Sequence, residues 1–231
     1  MHIPKSDEYP PPFWQNFSEG EVKTTENTTL TARIFSYLFA LLTVYLLLWQ
    51  AIEAHLTLPT YLYGRLIEVL GLLTFIVLAL TAPLRFEEMG IVTSPACTLT
   101  SLGIAAALSA AFLAALAVGR LLTGAPLTFS WHIRGDISRF TYFMVAPLQE
   151  ILAKSVLLYG LELALPRHPR AANLLAALTF AALHVVYGIG MMAAALALSL
   201  ITGILFQKKR SVWGPALLHF VCGFFPLCLG F

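Results

Sequence analysis

Apolar residues dominate seven stretches of the chain, and polar residues cluster between them. The stretches run from about Arg33–Ala51, Leu66–Leu84, Leu102–Val118, Phe140–Leu165, Ala171–Tyr187, Met191–Phe206 and Val212–Leu229. Each approaches the roughly 20 residues that an α-helix needs to cross a bilayer. Turn chemistry separates them. Pro59 and Tyr61 divide the first two spans, and Pro166-Arg167-His168-Pro169-Arg170 closes the fourth. Gly188-Ile189-Gly190 breaks the helix after the fifth, and Gln207-Lys208-Lys209-Arg210 follows the sixth,. The pattern predicts an all-α, polytopic integral membrane protein with about seven transmembrane helices. Residues 1–30 would be a polar tail and 31–231 one helical domain, with its catalytic core at about 140–231. The loop Gly119–Arg139 holds Trp131, His132, Arg134 and Asp136. An interfacial helix is expected there, with His132 a surface residue.

The fourth stretch departs from the pattern. Thr141–Gly160 is apolar enough for lipid, yet holds Gln149, Glu150 and Lys154 half way along. Ionisable groups inside a span cost a few kcal/mol each on insertion scales, so their retention points to a functional site. Glu150 and Lys154 are four apart, on one helix face, and can partly neutralise each other. The fifth stretch carries Asn173, Phe180 and His184 at intervals of seven and eleven, close to whole numbers of turns,. The seventh carries His219 after Pro215. The third and sixth are rich in small residues, Ser199 and Gly203 among them, and suit close helix packing,.

Composition agrees with the pattern: 58% of residues are hydrophobic and 11% charged, about half the charge of a soluble domain,. A net charge of +2 gives no reason to expect nucleic acid. Cys97, Cys222 and Cys228 form no metal or disulfide pattern,. With loops on alternating sides, Lys5, Lys23, Arg33, Arg85, Arg167, Arg170, Lys208, Lys209 and Arg210 share the side of the N-terminus. Arg65, Arg120, Arg134 and Arg139 lie on the other side. That bias predicts a cytoplasmic N-terminus. In this topology Glu150 and His184 meet in the outer half or near the midplane. His219 starts nearer the inner face and reaches them only if its helix is displaced or bent at Pro215.

Three readings of Glu150, His184 and His219 stand side by side. A carboxylate in an apolar site can serve as general base near neutral pH. One histidine could then hold a water while the other donates to the oxyanion of a hydrolysing peptide. The same residues could ligate zinc, although no H-E-x-x-H is present and the ligands would come from three separate helices. Each polar group could also simply bond between helices. The first reading, a metal-independent peptidase with no cofactor, is preferred.

The segments from about Ala146 to Gly223 resemble the CPBP family, the CAAX protease and bacteriocin-processing (Abi-type) group of glutamic intramembrane proteases. The family motifs are E-E-x-x-x-R, F-x-x-x-H and H-x-x-x-N or D. Phe180-Ala-Ala-Leu-His184 matches the second, and Ser211-Val-Trp-Gly-Pro-Ala-Leu-Leu-His219 resembles the approach to the third. The first reads Gln149-Glu150-x-x-x-Lys154; aligned instead on Pro147, Glu150 becomes the first glutamate, and Ile151 and Ser155 stand for the second Glu and the Arg. Gly223 stands where the family has Asn or Asp, so an oxyanion donor would be missing or supplied by Asn173 or Gln149.

The resemblance implies that Glu150 activates water, His184 helps to hold it and His219 stabilises the oxyanion. Gln149, Lys154, Phe180 and Asn173 would support them, with Lys154 balancing charge. It also implies a protein or peptide substrate with a C-terminal membrane-associated tail, membrane lipids as surroundings, and a prokaryotic inner (plasma) membrane as location. It further suggests a branch that processes C-terminal sorting tails. The rival from another class is a non-enzymatic immunity or scaffold protein of the same fold.

Overall fold

A computed structural model describes residues 24–57, 60–124 and 137–228. The expected polar tail before Thr24 and the loop that holds His132 lie outside the described residues. The described chain forms helices α1 (Thr24–His55), α2 (Thr60–Thr81), α3 (Pro95–Leu122), α4 (Ile137–Glu150), α5 (Tyr159–Ala164), α6 (Pro169–Ala182), α7 (Ile189–Lys209) and α8 (Trp213–Cys228). A π-helical segment, Ile151–Leu158, joins α4 to α5 without a break. None of the described residues forms a strand.

The protein is an all-helical integral membrane protein, but its spans are not uniform. Among the described residues, five helical stretches are long and apolar enough to cross a membrane: Asn27–His55, Leu62–Thr81, Pro95–Leu122, Thr141–Ala164 and Ile189–Lys209. The other two expected spans are shorter helices. α6 has 14 residues and α8 has 16, roughly 21 and 24 Å at 1.5 Å per residue, against a hydrocarbon core of about 30 Å. α6 stops early because the chain tightens into a 3₁₀ turn at Val185–Tyr187 and reverses at Gly188, whose φ is +91°. Glycine adopts that conformation without steric cost.

The central run α4–π–α5 is the hub of the bundle. It packs against α1, α2, α6, α7 and α8. Over half of its span window is buried (56%), against a third or less in the other four spans. The outer helices turn Phe39, Leu47, Leu80, Leu122 and Ile189 outward. In water such an exterior would aggregate; in lipid it carries no cost, because tails are as apolar as Leu.

One end of the bundle is tied by a polar knot. Arg210, in the left-handed conformation, donates from Nε to Glu88 O and from Nη1 to Glu162 Oε2, both at 2.6 Å. Gln207 donates to Glu162 and to Pro169 O, each at 2.9 Å. Tyr159 donates to Glu88 at 2.8 Å, and Val212 N–H reaches Gly90 O at 2.9 Å. The knot also accounts for the reach of His219. Arg210 and Glu162 share one level, and from there His219 is nine residues on while Glu150 is twelve back. The mismatch in depth expected from the span ends therefore disappears. Pro215 is the third residue of α8, in its first turn, where proline fits without a kink,.

Gly90 has φ +68°, and a Cβ there would sit 2.9 Å from Arg210 O. Gly90→Ala is expected to cost about 1–3 kcal/mol of stability, read as a lowered unfolding midpoint of the detergent-solubilised protein.

Candidate active site

The hub brings a carboxylate to the middle of the bundle. Glu150 ends α4 and is wholly buried. His219, on α8, is also buried, and its Nδ1 lies 2.9 Å from Glu150 Oε1. An ionised carboxylate only accepts, so the imidazole donates. Glu150 Oε2 is buried and has no hydrogen-bond partner among the described residues. The direct partner of Glu150 is thus His219.

His184 sits just beyond α6, where its Nδ1 lies 2.8 Å from the Phe180 carbonyl oxygen. A carbonyl cannot donate, so Nδ1 carries the proton and Nε2 of the neutral ring keeps its lone pair. Phe180 links the two histidines: its ring centroid is 4.7 Å from that of His184 and 5.5 Å from that of His219, edge-on to the latter. The F-x-x-x-H spacing thus has a physical meaning here. Phe180 supplies the carbonyl that sets the His184 tautomer and the ring that separates the two imidazoles.

The supporting residues divide. Lys154, fully buried in the π segment, makes no ion pair with Glu150. It donates to Ser199 O at 2.9 Å and Ser199 Oγ at 2.7 Å, and its Nζ stands 5.9 Å from the Phe180 centroid. Its charge still acts on Glu150 through the dry interior,. Asn173 lies away from the pair. It donates to Leu200 O at 3.1 Å and packs its Oδ1 where a side chain on Gly203 would be. It therefore fastens α6 to α7, and Gly203 is the glycine that permits the approach.

Gln149 points to a residue the sequence reading passed over. It donates to Glu68 Oε1 at 2.7 Å, and Glu68, buried on α2, takes its other bond from Arg65. A second carboxylate thus stands beside the site, contributed by the N-terminal half. Its signal was available: Glu68 is an acid within an apolar span, three residues after Arg65, and the same insertion cost that marked Glu150 applies to it. Among the described residues, no group of three or more His, Cys, Asp or Glu is placed to hold a metal ion.

Residues 136–225 match the sequence model of a family described as type II CAAX prenyl endopeptidase Rce1-like. The C-terminal spans are similar to that family. The match bears out the CAAX-protease resemblance read from the motifs and covers α4 through most of α8. No curated protein and no solved structure matches the chain. Within the Rce1-like segment lie Gln149, Glu150, Lys154, Asn173, Phe180, His184 and His219; Arg65 and Glu68 lie outside it.

Glu68→Ala would leave Gln149 and Arg65 without their acceptor. The expected loss is about 1–3 kcal/mol of stability, measured by thermal unfolding in detergent beside Glu53→Ala, whose partner Trp49 lies on an exposed face.

Proposed function

We propose that the protein is a glutamic-type intramembrane endopeptidase that cleaves a protein or peptide substrate near its C-terminus or membrane anchor. The observation that carries this reading is the buried Glu150–His219 pair with Glu150 Oε2 left unpartnered. His219 fixes one carboxylate oxygen, so the other is presented to a water. Glu150 takes a proton from that water as its oxygen adds to the scissile carbonyl carbon, and returns the proton to the amine as the C–N bond breaks. His184 Nε2 can accept the water's second hydrogen and orient it. His219 can serve an oxyanion only through Nε2, and only as imidazolium, because Nδ1–H is committed to Glu150. Lys154 holds positive charge near the carboxylate while bonded to α7.

The test is cleavage by the full chain in detergent micelles of two quenched fluorescent peptides. One ends in a farnesylated Cys-a-a-X tail, the other in a short apolar tail without prenyl. The family description motivates the first, and the site's distance from the basic knot motivates the second. Glu150→Gln and His184→Ala are each expected to lower the rate by about 10² or more while the protein still inserts. Near-normal cleavage by either would remove the assigned roles. A chelator is expected to leave the rate unchanged; loss of activity restored by zinc would replace the glutamic reading with a metal-dependent one.

In this reading the site opens toward the end of the bundle opposite the knot, where Arg65 and Tyr187 lie. Arg85, Arg167, Arg170, Lys208 and Lys209 gather at the knot end, so the positive-inside bias puts that end in the cytoplasm,. In a cysteine-free background, an impermeant thiol reagent applied to intact cells should label Tyr187→Cys and spare Arg167→Cys. The reverse pattern would turn the site toward the cytoplasm.

A further inference from the structure

A carbonyl turning tetrahedral puts negative charge on its oxygen, and catalysis needs donors already aimed at that charge. The obvious donors are committed. His184 gives Nδ1–H to Phe180 O and His219 gives Nδ1–H to Glu150, so neither of these N–H groups is left for an oxyanion,. Lys154 Nζ is held twice by Ser199, and Gln149 Nε2 is held by Glu68. One donor beside the pair has no such commitment. The ring of Tyr142, on α4 two turns before Glu150, meets the His219 ring edge-on at 6.2 Å and lies 6.3 Å from that of Phe220. No hydrogen bond joins its hydroxyl to a described residue. The charges that act on it most are those of Glu150 and Glu68.

The place of that hydroxyl is specific. It fills the space that a side chain at position 223 would take: a Cβ on Gly223 would collide with the Tyr142 oxygen. Gly223 is one helical turn beyond His219 on α8,. The phenol thus enters the site through a gap that only glycine leaves, alongside the histidine that grips the base.

Resting on the peptidase reading above, we propose that Tyr142 is a catalytic residue whose O–H donates to the scissile carbonyl oxygen and holds the oxyanion. Tyr142 keeps its proton throughout. The water oxygen bonds to the carbonyl carbon, the water proton passes to Glu150 Oε2, and the charge gathers on the carbonyl oxygen against the phenol. When the C–N bond breaks, the carbonyl re-forms and the proton leaves with the amine. A phenol keeps its proton, and so stays a donor, across the physiological range.

The experiment uses the full-length chain in detergent micelles with the same two quenched peptides. Tyr142→Phe is expected to lower kcat by about 10²–10³, as for loss of one oxyanion donor, with KM within about twofold because only transition-state binding is lost. Its unfolding midpoint should match the wild type, since no described residue bonds the hydroxyl at rest. Gly223→Ala keeps the phenol but displaces it, and should lower kcat in the same direction. Tyr159→Phe is the control: it loses the bond to Glu88 at the knot, so its midpoint should fall while kcat stays unchanged. Wild-type kcat in folded Tyr142→Phe, or in Gly223→Ala if the Phe variant does not fold, overturns the role of Tyr142 and leaves the peptidase reading intact. A wild-type protein that cleaves neither peptide overturns that reading and this proposal with it.

Discussion

A carboxylate buried in the centre of a bundle must be held by what the surrounding helices offer, and Glu150 is held by the imidazole N–H of His219, with the Thr202 hydroxyl acting on it as well. An ionised group in a low-dielectric interior is costly unless bonded or matched by opposite charge. Here both remedies are used, and each fixes part of the architecture. The bond from His219 requires α8 to run beside α4 at that depth, which the knot at Arg210 sets. The charge of Lys154 must be nearby yet not directly paired, and Ser199 on α7 holds it there. The π segment that carries Lys154 begins immediately after Glu150. π turns inside helices recur at functional sites because they re-aim side chains without ending the helix. Here the turn sends a lysine toward α7 while the preceding glutamate faces α8.

The cost of burying these groups is met by close helix contact, and small residues make that contact possible. Ala172, Ala176 and Ala177 on α6 are buried, as are Ala195 and Thr202 on α7. Without large side chains between them, the backbones approach closely enough for Asn173 to bond a carbonyl of the neighbouring helix. In lipid this packing and the interhelical bonds hold the helices together, because the hydrophobic effect does not distinguish protein from tails.

The class of the protein was legible because insertion into lipid constrains the sequence so strongly. Five of the stretches read from hydrophobicity are long spans, and the breaks at Gly188 and Arg210 fall where glycine and basic turn residues announced them. The early end of α6 was not legible, whereas α8, Trp213–Cys228, matches the expected Val212–Leu229 to within a residue at each end. Hydrophobicity measures whether a segment tolerates an apolar environment, and helices buried in the centre of a bundle are as apolar as spanning ones. Glu150 was recognisable by its cost, and His184 and His219 by their motifs. Which histidine bonds the carboxylate depends on how far each helix slides along the bundle, and no local pattern encodes that. Glu68 and Tyr142 show two other ways of being overlooked. The acid was visible but lay in a half of the chain with no motif to draw attention to it. The tyrosine is unremarkable in sequence, and its placement becomes meaningful only against the glycine it faces across two helices.

The knot has a consequence for how the protein can be taken apart. Gly90 and Glu88, from the loop after α2, are bonded to Val212 and Arg210, and Met89 between them is fully buried in a cluster with Ile34, Leu78 and Tyr159. The segment with the recognisable motifs therefore borrows its floor from the other half, and a wall of its site from Glu68. Expressed by itself, it would cost Arg210 its bond to Glu88 O and leave Gln149 and the N–H of Val212 without their present acceptors. The motif-bearing half is thus not a portable module. A chimera or transplanted site would have to carry α1, α2 and the Gly90 loop along with the motif-bearing spans.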